Sequence, residues 1–147
     1  MPVKNATPYL FFNGTAQAAI HLYERALEAR TEALMHYEGS PDTGMGLEPG
    51  DADRVMHAVL HVGDARLMIS DAPTTTPAAT ESNVDVCLEF DDPEELGRKF
   101  RSLAEGGRVV QDVHDAFWGA KFGMLVDVYG IHWMFNCSTP RPEQAGP

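Results

Sequence analysis

The fold of this 147-residue chain is decided by two similar stretches, VGDARLMIS at residues 62–70 and VYGIHWMFN at residues 128–136. In each stretch a turn that contains glycine leads into alternating apolar and polar residues, the pattern of a β-strand with one buried face. The two stretches lie 66 residues apart. This self-similarity predicts an internal repeat.

The residues before the first stretch predict three further strands and a helix. The predicted strands of this half are residues 8–12, 31–37, 54–62 and 65–70. A helix after the first strand is predicted from apolar residues at helical spacing, which are Ala16, Ile20, Tyr23 and Leu27. Thr15 precedes them and is predicted to cap the helix through its side chain. Residues 39–53 are rich in Gly, Pro and Asp and predict a loop.

The second half repeats the same order of elements. Its predicted strands are residues 84–90, 108–113, 121–128 and 131–136. A helix is predicted to begin at Asp91-Asp92-Pro93, because proline favours the first helical position, and to end at Gly106-Gly107. Phe12 and Phe90, which close the first strand of each half, lie 78 residues apart. Both halves therefore predict the order βαβββ.

Two βαβββ repeats predict an α+β fold. A four-stranded sheet with a helix on one face needs its other face buried too, so the two sheets are expected to curve around a shared cavity. We expect a single domain over residues 1–139. Its predicted parts are repeat one at about 5–72, a linker at 72–82, repeat two at about 83–137, and a flexible tail at 138–147.

Composition excludes several classes of function. A net charge of −11 repels phosphate backbones and anionic lipid, so neither nucleic acid nor a membrane is an expected partner. No apolar run approaches the roughly 20 residues needed to span a bilayer, and the N-terminus lacks a signal-peptide pattern. A cytoplasmic protein is expected. Cys87 and Cys137, the two cysteines, are expected to be buried and reduced.

Seven short motifs stand out in the chain: PYLFFNG at 8–14, YE at 23–24, MHA at 56–58, GD at 63–64, LMISD at 67–71, FWGAKFGMLVD at 117–127 and GIHW at 130–133. Together they resemble the PhnB-like branch of the glyoxalase/bleomycin resistance protein/dioxygenase superfamily. The resemblance covers about residues 5–137. It implies the vicinal-oxygen-chelate fold, a homodimer, and a cavity where family members place a divalent metal on His and Glu ligands. Proteins of this branch are often labelled demethylubiquinone methyltransferases, but no Gly-rich loop after a strand offers a cofactor site here.

The family's metal-ligand positions correspond approximately to Thr7, Met68, Asp85 and Met134. Only the carboxylate is a good ligand for the usual divalent ions, since a thioether replaces His or Glu poorly. No cofactor is therefore predicted, although a divalent metal on Asp85 and His57 stays possible. His57 and His61 share one strand face, but at about 3.3 Å per residue they lie about 13 Å apart, too far to chelate one ion together.

Alternation along the strands assigns a set of side chains to the cavity. Asp85 and His132 are weak candidates for an acid/base pair, with a hydrogen-bonded cavity histidine as the plainer alternative. Phe117 and Trp118 either wall a pocket or pack as core or interface aromatics. The predicted ligand-binding residues are Tyr9, Phe11, His57, Met68, Asp85, Cys87, Trp118, His132 and Met134.

Two functions remain open from the sequence. The first hypothesis is a dimeric small-molecule binding protein that lacks the usual metal ligands and takes a compact organic ligand. The alternative is a metal-dependent isomerase, lyase or dioxygenase of the same superfamily. Because no nucleophile motif is recognisable, the sequence leaves open whether the chain is an enzyme.

Overall fold

The computed structural model describes residues 2–38, 51–117 and 119–138, and these divide between residues 80 and 81 into two compact units. Each unit has the predicted order βαβββ, so the α+β fold class and the repeat are confirmed. The predicted strand ends differ from the observed ones by at most three residues. The elements are β1 Tyr9–Phe12, α1 Ala16–Leu27, β2 Arg30–His36, β3 Val55–Val62, β4 Ala65–Asp71, β5 Val86–Glu89, α2 Pro93–Ala104, β6 Arg108–Ala116, β7 Ala120–Val126 and β8 His132–Ser138.

Each unit contains one four-stranded mixed sheet. The strand order is β1-β4-β3-β2 in the first unit and β5-β8-β7-β6 in the second, with a parallel first pair and antiparallel pairs elsewhere. Tyr9 lies beside Met68 in the first sheet, and Cys87 lies beside Met134 in the second. These registers confirm the offsets of 78 and 66 residues that the sequence predicts.

The core of the first unit lies between α1 and one face of its sheet. Leu10 and Phe12 on β1, and Leu67 and Ile69 on β4, are buried, while the side chains between them are more exposed. Burying a side chain of this size stabilises the folded state by roughly 1.5–3 kcal/mol. The buried residues of α1 are Ala16, Ala19, Ile20, Leu22, Tyr23, Ala26 and Leu27.

The predicted side-chain cap of α1 is wrong. Thr15 occupies the capping position but makes no capping hydrogen bond with its side chain. The carboxylate of Asp71, at the end of β4, accepts hydrogen bonds from the backbone N–H groups of Gly14, at 2.8 Å, and Ala16, at 3.0 Å. A local motif could not reveal this cap, because the acceptor lies 55 residues further along the chain.

The second unit packs α2 against its sheet in the same way. Trp133 and Phe135 on β8 are fully buried, and Phe100 of α2 meets Phe135 edge-on with 5.2 Å between ring centroids. The start of α2 is as predicted: Asp92 accepts a hydrogen bond from the backbone of Glu94 at 3.0 Å. Neither helix in the described ranges has the length and apolar content needed to cross a bilayer.

Candidate functional site

Most of the predicted site residues lie on the sheet face turned away from the helix, here called the helix-distal face of each unit. On β4, Leu67 and Ile69 are buried against α1 while Met68 between them is half-buried. β8 repeats the pattern, with buried Trp133 and Phe135 alternating with half-buried neighbours. The predicted alternation is confirmed. On these faces the structure places Tyr9, Phe11, His57, Met68, Asp85, Cys87, His132 and Met134.

Two members of the predicted aromatic set need separate mention. Trp118 lies outside the described residues. Phe117 is 90% exposed, so it is not part of the core of its unit.

A stacked aromatic pair dominates the helix-distal face of the first unit. Tyr9 and Phe11 lie two residues apart on β1, and their rings stack with a centroid distance of 4.8 Å and an angle of 18°. Tyr9 is 40% exposed and Phe11 is 53% exposed. Aromatic side chains gain strongly from burial, so two adjacent exposed rings form a surface suited to a flat or apolar ligand.

The Tyr9 hydroxyl connects β1 to β3. It lies 3.0 Å from His57 Nδ1, and the two rings are 5.8 Å apart. Burial raises the pKa of Tyr9, while a hydrogen bond with Ser70 opposes part of the rise, so the phenol is protonated at neutral pH. Sequence reasoning assigned both Tyr9 and His57 to the site but did not pair them, since alternation carries no information about contacts across a sheet.

The helix-distal face of the second unit brings Asp85 and His132 together. Asp85 Oδ1 lies 3.6 Å from His132 Nδ1, with each side chain 19% exposed. Asp85 directly precedes β5, and His132 begins β8, its parallel neighbour. The two candidates for an acid/base pair are therefore neighbours, and their catalytic role stays a prediction.

A second polar contact lies further along the same face. Glu89 accepts a hydrogen bond from Asn136 Nδ2 at 2.9 Å, and the Cys87 thiol lies 3.5 Å from the other Glu89 oxygen. Glu89 and Asn136 were not among the predicted binding residues, although the alternation that selected Cys87 and Met134 also applies to them.

The expectation that both cysteines are buried is correct for Cys137 and wrong for Cys87. Cys137 is buried, but Cys87 is exposed because it lies on the helix-distal face of the edge strand β5. Loss of solvation around the sulfur, together with Glu89 and Asp85, raises the pKa of Cys87 to about 11. The thiol is therefore protonated at neutral pH and a weak nucleophile.

The metal-ligand positions implied by the family resemblance carry a poor donor set. Met68 and Met134 each lie in mid-strand and offer only a thioether, and Thr7 offers a hydroxyl that donates to Asn5. Asp85 alone supplies a carboxylate, and it contacts His132. Within the described ranges, no three His, Cys, Asp or Glu side chains cluster closely enough to hold an ion. These side chains do not fit the hard or borderline divalent ion of the family.

His61 is accounted for by an ion-pair contact. Its Nε2 atom contacts Glu32, whose second oxygen lies 3.8 Å from Arg66. The hydrogen bond from His61 lowers the pKa of Glu32. His57 and His61 thus have different partners, Tyr9 and Glu32.

Comparison with known proteins gives one family match and several relatives. The sequence model for the "Glyoxalase/Bleomycin resistance protein/Dioxygenase superfamily" matches residues 7–135. Protein YjdN of Escherichia coli (strain K12) is 28% identical over 146 residues, which cover 94% of this chain and 98% of YjdN.

Two solved structures are also similar. The crystal structure of protein PA1353 from Pseudomonas aeruginosa has a TM-score of 0.83 and 35% identity, covering 92% of this chain and 98% of that chain. A Bacillus cereus PhnB protein, described as a putative 3-demethylubiquinone-9 3-methyltransferase, has a TM-score of 0.71 and 22% identity, with 92% and 100% covered. The second likeness concerns the fold alone.

Proposed function

Because the chain belongs to the glyoxalase/bleomycin resistance protein/dioxygenase superfamily, we propose that it is a binding protein for a compact organic molecule and needs no metal ion. The stacked and exposed Tyr9–Phe11 pair carries this proposal. A flat ligand that covers these rings removes apolar surface from water. This burial favours binding by about 25 cal/mol for each Å² of apolar surface. The thioether of Met68, next to Tyr9 in the sheet, adapts readily to ligand shape.

The chemistry of the family metal positions supports the metal-free part of the proposal. Two thioethers, one hydroxyl and one carboxylate make a weak set for Mg²⁺, Mn²⁺ or Zn²⁺. The Asp85–His132 contact is a polar feature of the helix-distal face of the second unit. A ligand bound on that face would be oriented by this pair, as a few polar groups orient ligands in most apolar sites.

Ligand binding is expected to depend on Phe11 and to survive a chelator. In a thermal-shift screen of small metabolites with EDTA present, a true ligand at about 100 times its Kd adds about 2.7 kcal/mol of stability. Phe11→Ala should raise the Kd of that ligand about tenfold. An aromatic contact contributes roughly 1 kcal/mol to binding in addition to the free energy of burying its surface. Leu34→Ala is the matched control, because Leu34 is an exposed apolar residue on the helix side of the same sheet.

Metal content separates this proposal from the metal-dependent isomerase, lyase or dioxygenase. Protein purified without a chelator should contain no stoichiometric divalent metal by mass spectrometry. A full equivalent of metal that disappears in Asp85→Ala would instead establish the metal-dependent alternative. Asp64→Ala, at an exposed turn position, controls for loss of surface charge.

We further propose that the chain forms a homodimer, as the resemblance implies. Light scattering should give a mass twice the chain mass of 16.1 kDa at micromolar concentration. A mass of one chain over the whole concentration range would contradict this proposal and leave the binding proposal intact.

A further inference from the structure

Three sulfur-containing side chains form a row across the helix-distal face of the second unit, here called the sulfur row. Cys87 on β5 is the register partner of Met134 on β8, and Met134 is the partner of Met124 on β7. Register partners on neighbouring strands lie on the same face of a sheet. Met134 lies between buried Trp133 and Phe135, so the row faces away from α2. Cys87 is exposed, and both methionines are half-buried.

The spacing of the sulfur row suits the ligands of a single ion. Neighbouring strands lie about 4.8 Å apart, and a metal–sulfur bond of about 2.3 Å places two sulfurs on one ion about 4 Å apart. Met134 is the middle member, with a partner on each side. A methionine side chain has three rotatable bonds, so Met124 can turn its thioether toward an ion above β8. The row thus offers one thiol and two thioethers to one position.

Negative charge surrounds the sulfur row. Asp85 and Glu89 lie two residues before and two residues after Cys87, on the same face of the extended chain. Glu89 Oε1 lies 3.5 Å from the Cys87 thiol. Loss of solvation raises the pKa of this thiol most, and the two carboxylates raise it further, so their charge acts at the sulfur. A negative potential at this place also attracts a cation.

We propose that the sulfur row binds a soft monovalent metal ion of the Cu(I) type through Cys87, Met124 and Met134. Soft ions prefer thiolate and thioether ligands, whereas Mg²⁺ and Mn²⁺ prefer oxygen. The Met134 thioether, which fits a hard ion poorly, is therefore a suitable ligand for a soft one. On binding, the ion replaces the proton of the Cys87 thiol, and the proton passes to solvent. The proposed binding of an organic molecule rests on the first unit and does not depend on this site.

Ag⁺ is a suitable probe of the sulfur row, because it shares the ligand preference of Cu(I) and needs no reductant. Protein with ¹³C-labelled methionine methyl groups is titrated with silver nitrate in chloride-free buffer and followed by NMR. The Met124 and Met134 signals should move and reach their final positions at one equivalent, with Met124→Leu and Met134→Leu assigning them. Met35, an exposed methionine of the first unit, should keep its signal position up to that point. Mg²⁺ at the same concentration should leave all three signals in place.

The Kd for Ag⁺ separates a shared site from an ordinary exposed thiol. In competition with a soluble thioether ligand, Met124→Leu and Met134→Leu should each raise the Kd about tenfold or more, because even loss of an outer-shell partner typically costs roughly 10–100-fold in metal affinity. Cys87→Ser should raise it further, since the other thiol, Cys137, is buried. Met35→Leu is the matched control and should leave the Kd unchanged. Leucine is close to methionine in volume, so these variants are expected to fold.

Three results would overturn this inference. If Met124→Leu and Met134→Leu bind Ag⁺ with the Kd of the wild-type protein, Cys87 acts alone as a surface thiol. If the Met35 signal moves together with those of the row, exposed thioethers bind the ion wherever they lie. If no methionine signal moves, the row is not a metal site. The thermal-shift screen with Phe11→Ala tests the organic ligand of the first unit separately, so the two failures are distinguishable.

Discussion

Asp71→Ala is expected to lower the free energy of unfolding by about 4 kcal/mol, the largest effect of any substitution proposed for this chain. The Asp71 side chain is buried, and it accepts three backbone hydrogen bonds, from Gly14, Ala16 and Val55, at 2.8–3.0 Å. Alanine leaves three donors without a partner, each costing roughly 1–3 kcal/mol where water cannot replace the carboxylate. It also removes a negative charge from the start of α1.

Urea denaturation followed by circular dichroism measures this effect. The midpoint should fall at an unchanged m-value, which indicates a loss of stability without a change in the unfolded state. Asp71→Asn should retain part of the stability, because the amide oxygen still accepts. Asp64→Ala, at an exposed turn position, should change stability by less than about 0.5 kcal/mol. An Asp71→Ala variant as stable as Asp64→Ala would refute the long-range cap.

Asp127→Ala is expected to cost about 3 kcal/mol. Asp127 is buried, and its Oδ1 atom accepts hydrogen bonds from the backbone N–H groups of Tyr129, at 2.9 Å, and Ile131, at 3.1 Å. Its Oδ2 atom accepts from Trp133 Nε1 at 2.9 Å. The carboxylate therefore orders the turn before β8 and also accepts a hydrogen bond from the indole of Trp133, the largest fully buried side chain among the described residues.

A double-mutant cycle isolates the Asp127–Trp133 contact. Asp127→Asn, Trp133→Phe and the double variant should give a coupling energy of at least about 1 kcal/mol in thermal or urea unfolding. Asp115→Asn, whose exposed carboxylate pairs with Lys121, is the control and should change stability little. If the losses in unfolding free energy of the two single variants add up to that of the double variant, the Asp127–Trp133 hydrogen bond does not contribute to stability.

The Asp127–Trp133 contact shows what part of the family resemblance does in the structure. The Asp, Gly and Trp of residues 127–133 belong to two of the motifs that carry the resemblance, and they build a turn and a core contact. Gly130 has a φ of +94°, a conformation that favours glycine. The motif thus reports the fold and says little about the ligand.

The fold could be predicted because its determinants are local. Alternation on β4 and β8 placed Leu67 and Trp133 against the helices, and helical spacing placed Ile20 and Tyr23 in the core of the first unit. The pairing of Asp71 with the start of α1 could not be predicted, because it depends on where β4 ends in the folded sheet.

The same distinction between local and long-range determinants applies to the candidate site. Alternation along the strands was enough to predict which residues lie on the helix-distal faces, as Tyr9, Cys87 and His132 show. The contacts within it, such as Tyr9 with His57 over 48 residues, required the register of three neighbouring strands. Cys87 was misplaced because an apolar sequence context does not reveal that β5 is an edge strand.

The position of Asp71 also bears on how the chain matures on the ribosome. α1 emerges 55 residues before the carboxylate that caps it, and β3, which Asp71 also holds, emerges in between. A 12-residue helix is marginal alone in water. The carboxylate that caps α1 is therefore synthesised only with the end of β4, so we expect the helix to gain its full stability late in synthesis.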